Sequence, residues 1–136
     1  MTVDPARTEL TLPNDPRLMQ AVGAVVAQAA GRAGLAESAR EGFAEAAIEA
    51  CRNRFSAIRN GRDANSVLQV SVVSFPDRIE VAIENIGGTT PPEDVDALRK
   101  IRQHAAVNHV AHEAHEGRVR TTLIKYFRAE TPGQLN

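Results

Sequence analysis

The sequence predicts an α+β fold: a two-layer sandwich in which a mostly antiparallel sheet carries helices on one face. Three observations predict it. Apolar residues recur at spacings of three and four from Met19 to Ile58, change to alternation from Leu68 to Ile83, and end in the β-rich stretch RVRTTLIKYF. A helix with one apolar stripe and a strand with one apolar face each bury it by packing layer on layer.

The first element is a short strand at Thr8 to Leu12, where Leu10 and Leu12 alternate with polar residues before Pro13. Asn14 and Asp15 precede Pro16, which suits a helix start, because proline fixes φ and its missing N–H costs little in a first turn. Met19, Val22, Val26 and Ala30 then mark one face of a helix that ends near Gly31 to Gly34. A longer helix is expected from about Ala36 to Ile58, with Phe43, Ala47, Cys51, Phe55 and Ile58 on its apolar stripe.

Asn60-Gly61 and Asp63 to Ser66 form a polar loop, after which the period becomes two. Leu68, Val70 and Val72, then Ile79, Val81 and Ile83, describe a β-hairpin that turns at Phe75 to Arg78. Gly87-Gly88-Thr89-Thr90-Pro91-Pro92 is a loop by composition, and Glu93-Asp94 opens a further helix with Val95, Leu98 and Ile101 on one face. His109 to Glu116 reads as either helix or strand, and Gly117 leads into a last strand at about Arg118 to Phe127. These elements make one domain over 1–136, with an ordered core at about 8–128 and a loose tail after Ala129.

Composition narrows the function. Sixteen Lys and Arg against 17 Asp and Glu give a net charge of −1, without the surplus of cations on which non-specific nucleic-acid binding depends. Nucleic acid is therefore not an expected partner. The single cysteine, Cys51, makes neither an internal disulfide nor a multi-cysteine metal site. The N-terminus MTVDPARTEL has no apolar signal core, and the apolar run from Leu18 to Ala30 is interrupted by Gln20 and Gln28 and is too short to span a bilayer. A cytoplasmic protein without a membrane partner is expected.

Three residues carry the candidate chemistry. Glu49 and Asn53 are four apart on the long helix, so both project from one face, at the border of its apolar stripe. Asn85 shares parity with Ile79, Val81 and Ile83, which places a polar group on the helix-facing side of the hairpin just before Gly87-Gly88.

This order of elements and boxes resembles the GHKL family of ATPase domains, with their Bergerat-type fold, and in particular the stand-alone bacterial anti-sigma factor serine kinases. The resemblance runs from Leu10 to Phe127. It rests on Leu10-Thr11-Leu12-Pro13, on the Glu-x-x-x-Asn box Glu49-Ala50-Cys51-Arg52-Asn53, on Asn85-Ile86-Gly87-Gly88-Thr89 in place of Asp-x-Gly-x-Gly, and on Gly117-Arg118-Val119-Arg120 to Lys125-Tyr126 as the final strand. The resemblance implies an ATP or ADP site with Mg²⁺. In it Glu49 is the general base, Asn53 holds Mg²⁺ against the phosphates, Asn85 accepts from the adenine amino group, and Gly87 and Gly88 let the backbone come close.

The match is incomplete in ways that bear on activity. Asparagine replaces the family's aspartate at Asn85, removing the charge that strengthens such a hydrogen bond, and Thr89 replaces the last glycine of the box. The second glycine box is absent: the aligned stretch is Asp96-Ala97-Leu98-Arg99-Lys100, and no glycine occurs between Gly88 and Gly117. Without glycines there is no obvious backbone cradle for the β- and γ-phosphates, and Arg99 or Lys100 supplies only a point charge. The resemblance thus implies a degenerate regulator that acts by protein binding, with a sigma factor or an anti-sigma antagonist as partner and homodimers as in much of the family. The alternative is an active ATP/Mg²⁺-dependent serine-protein kinase.

Three further signals have plainer readings. Arg54 falls within the apolar stripe of the long helix, and the preferred expectation is a buried stem whose head reaches water, the alternative being a partner in the cleft. Cys51, on the same stripe, reads as an inert core residue. His104, His109, His112 and His115 read as solvated: on a strand His109 and His115 face one side and His112 the other, and on a helix His115 turns away from the others.

Overall fold

The computed structural model describes residues 6–13, 15–60, 67–86, 107–115 and 118–126. Strand β1 (Ala6–Pro13) leads through a single 3-10 turn (Pro16–Leu18) into helices α1 (Met19–Arg32) and α2 (Glu37–Asn60), then strands β2 (Val67–Ser74), β3 (Arg78–Ile86), β4 (His109–His115) and β5 (Arg118–Tyr126). The strands form one sheet in the order β1-β2-β3-β5-β4, antiparallel at every pairing. The expected α+β architecture is present: a five-stranded antiparallel sheet with two helices, consistent with a two-layer sandwich. The expected helix from Glu93-Asp94 onward, together with Gly87 and Gly88, lies outside the described residues.

Local chemistry accounts for the helix boundaries. Asp15 caps the Pro16 turn, because its Oδ1 accepts from the Arg17 backbone N–H at 3.0 Å and its carbonyl accepts from Leu18 N–H at 3.0 Å. At the other end of α1, Leu35 N–H donates to the Ala30 carbonyl at 3.0 Å and Gly34 N–H to that of Gly31 at 3.1 Å, a Schellman closure. The motif needs a left-handed residue, and Gly34 supplies it with φ of +101°. Leu35 then packs against the core as the accompanying apolar contact.

The two helices approach closely because Gly23 has no side chain: a Cβ built there would lie 2.5 Å from Ile48 Cδ1. Alanines do the same on α2, where Ala46, Ala47 and Ala50 are buried beside Phe43 and Cys51. Below them the inner face of the sheet presents Leu12, Leu68, Val70, Val72, Ile79, Val81, Ile83, Val110 and Leu123. Each fully buried aliphatic side chain of this kind contributes about 1.5–3 kcal/mol, so the period-two pattern of β2 and β3 fixes which face meets the helices.

The hairpin turn falls where the sequence predicts it. Phe75 N–H donates to the Arg78 carbonyl at 2.8 Å across Pro76-Asp77. Arg78 lies 3.9 Å over the Phe75 ring and donates to Glu80 Oε2 at 2.6 Å and to Asp77 Oδ1 at 2.8 Å. Residues 109–115, ambiguous in sequence, are a strand paired along its whole length with β5. None of the helices is long and apolar enough to cross a membrane among the described residues.

Candidate functional site

The register of the sheet places Asn85 at the inner end of β3, opposite Leu68 of β2 and Val119 of β5. Its side chain points between the layers, as its parity with Ile79, Val81 and Ile83 predicts, and all four residues are fully buried. Glu49 and Asn53 are both half-buried, one turn apart at the border of the α2 stripe where the sequence places them. The box and Asn85 thus sit on the two layers that face each other.

What joins the layers is Arg54. Its side chain is 7% exposed, and its Nη2 donates to Asn85 Oδ1 at 3.1 Å. The expectation that its head reaches water is therefore corrected: the guanidinium stays inside, because an acceptor on β3 meets it there. Burial pushes the Arg54 guanidinium below its usual pKa. None of the described ion pairs includes Arg54; they join Arg7 to Glu9, Arg17 to Asp15, and Arg78 to both Asp77 and Glu80.

Three buried side-chain nitrogens here have no hydrogen-bond partner: Arg54 Nε, Asn85 Nδ2 and, on the neighbouring position of α2, Asn53 Nδ2. All three are donors. Asn85 Oδ1 already accepts from Arg54, which leaves it one lone pair, and Asn85 Nδ2 is a donor, the wrong sense for an adenine amino group.

Other sequence signals find ordinary places. Cys51 is buried, and desolvation pushes its thiol up to about 12, which makes it a poor nucleophile. His112 Nδ1 lies 3.0 Å from Thr121 Oγ1 on the inner face, whereas His109 is exposed on the outer one, as alternation along a strand requires. The expectation of solvated histidines is met at His109, His112 is half-buried, and His104 and the His115 side chain lie outside the described residues. The opposite face of the sheet carries a polar hollow of about 170 Å³ between Arg7, Glu9, Ser71, Ala82, Glu84 and Arg120.

The Arg54–Asn85 bond is the feature that residue patterns underweighted. Its signals were in the sequence as two oddities, a cation in an apolar stripe and an asparagine on the buried parity of a strand. Comparison with protein-family models gives no match, and comparison with curated proteins gives none either.

Proposed function

We propose that this chain is a degenerate regulator of the anti-sigma-factor type, which acts by binding another protein and has weakened or lost ATP binding. The observation that carries the reading is the Arg54–Asn85 hydrogen bond, 3.1 Å long and buried, which takes one of the two lone pairs of the oxygen that an adenine amino group would use and sets a cation beside it. The partner is a sigma factor or an anti-sigma antagonist, the chain works in the cytoplasm, and a homodimer is its assembly. The Glu-x-x-x-Asn box and the Leu-x-Leu-Pro opening support the family reading, and the missing second glycine box supports loss of nucleotide.

The test is calorimetric titration with ATP and ADP, with and without Mg²⁺. No saturable heat beyond that of inorganic phosphate at the same millimolar concentration is the expected result. Saturable binding tighter than that of phosphate, lost in Asn53→Ala, would overturn it. A second reading, a working ATP/Mg²⁺-dependent serine-protein kinase with Glu49 as base and Asn53 on Mg²⁺, is favoured by one observation: both side chains keep a half-buried place one turn apart. Mg²⁺-dependent ATP turnover abolished by Glu49→Ala is its signature.

A further inference from the structure

A guanidinium in an apolar layer needs an anion. Removing an ion from water costs several kcal/mol even after the surroundings relax, and a neutral carboxamide oxygen offsets only part of that. The inner face of the sheet that Arg54 meets is mostly aliphatic, with Leu68, Ile83 and Leu123 fully buried, and the buried polar side chains it offers among the described residues are Asn85 and Thr121. Among the described residues, no carboxylate pairs with Arg54.

The unpartnered atoms at this junction are of one kind. Arg54 Nε and Asn85 Nδ2 belong to side chains more than nine-tenths buried, and Asn53 Nδ2 is buried on the adjoining position of α2. A group of N–H donors with one positive charge complements a ligand with several acceptor oxygens and a negative charge. Such a ligand supplies both the missing charge and the missing hydrogen bonds, whereas water supplies only the second.

We propose that Arg54, Asn85 and Asn53 form an oxyanion-binding site at the junction of α2 and β3, which takes a phosphate or carboxylate group. The Nη2 bond to Asn85 orients the guanidinium and leaves its Nε for the anion. Asn85 then acts through its nitrogen, with its oxygen as the brace. The proposal does not rest on the regulator reading, and adenosine, which has no phosphate, tests that reading apart from this one.

The experiment is a titration of the full ¹⁵N-labelled chain with sodium phosphate and, separately, sodium malonate, with sodium chloride as the reference at equal ionic strength. Saturable shifts of the Arg54 Nε–H and Asn85 carboxamide resonances are expected with at least one oxyanion, together with at least tenfold weaker binding in Arg54→Met. A response to phosphate alone identifies a phosphate-bearing ligand, and a response to malonate alone a carboxylate-bearing one. Resonances that stay in place, or that follow chloride equally, overturn the proposal. So does binding that Arg54→Met leaves unchanged. Should that variant fail to fold, the wild-type resonances decide alone.

Discussion

Arg54 and Asn85, 31 positions apart in the chain, meet inside the protein, where the guanidinium Nη2 donates to the carboxamide oxygen at 3.1 Å. The bond ties the helix layer to the sheet at the end of β3. It also shapes the chemistry of the junction, since it engages the carboxamide oxygen while Arg54 Nε and Asn85 Nδ2 remain unpartnered donors.

A double-mutant cycle measures that bond. Asn85→Leu leaves the guanidinium without its partner and is expected to cost about 1.5–3 kcal/mol, the range for hydrogen bonds to charged groups. Arg54→Met removes the charge but strands the Asn85 oxygen. The double variant removes both, so its loss is expected to fall short of the sum of the single losses by about 1 kcal/mol or more, as for contacting residues. Urea unfolding of the four proteins reads it; additive losses would contradict the contact.

Gly34 closes α1 in a left-handed conformation with φ of +101°, and no atom lies within 4 Å of a Cβ built there. Gly34→Ala therefore meets no clash and loses only the backbone preference, about 1–2 kcal/mol. Gly34→Asn is expected to lose less, because asparagine tolerates this region better. Urea midpoints order the three as Gly, Asn, Ala.

Much of this fold was legible because its signals are local. Alternation at Leu68 to Val72 and Ile79 to Ile83 gave the hairpin and its buried face, and the same parity placed Asn85 between the layers. The ends of α1 followed from Pro16 and Gly34, whose backbone preferences need no distant partner. His109 to Glu116 was ambiguous because its histidines, alanines and glutamates favour neither period; pairing of 109–115 with β5 settles it as a strand. Arg54 shows the same limit in the candidate site. Its place on the stripe predicted a buried stem, but the direction of its head depends on an asparagine contributed by another layer.

Asp15 gives a pH signature at the start of α1. Its carboxylate accepts from Arg17 Nε at 3.0 Å, from Nη2 at 2.8 Å and from the Arg17 backbone N–H, and these bonds hold its pKa at about 2 against an ordinary 3.8. The folded value lies below the unfolded one, so the contribution is complete above about pH 4 and is lost as the pH falls through about 2. An NMR titration of the Asp15 carboxyl is expected to find that midpoint, and Arg17→Ala to return it toward 3.8. Because Arg17 is largely exposed, the shift is expected to shrink with added salt.

The most direct test of the central claim is to follow the Asn85 side-chain carboxamide resonances while adenosine, which carries the adenine but no phosphate, is added to the ¹⁵N-labelled chain. With Arg54 bonded to its oxygen, Asn85 is expected to stay unchanged through millimolar adenosine. A saturable shift of those resonances would show an adenine acceptor still at work and would contradict the account.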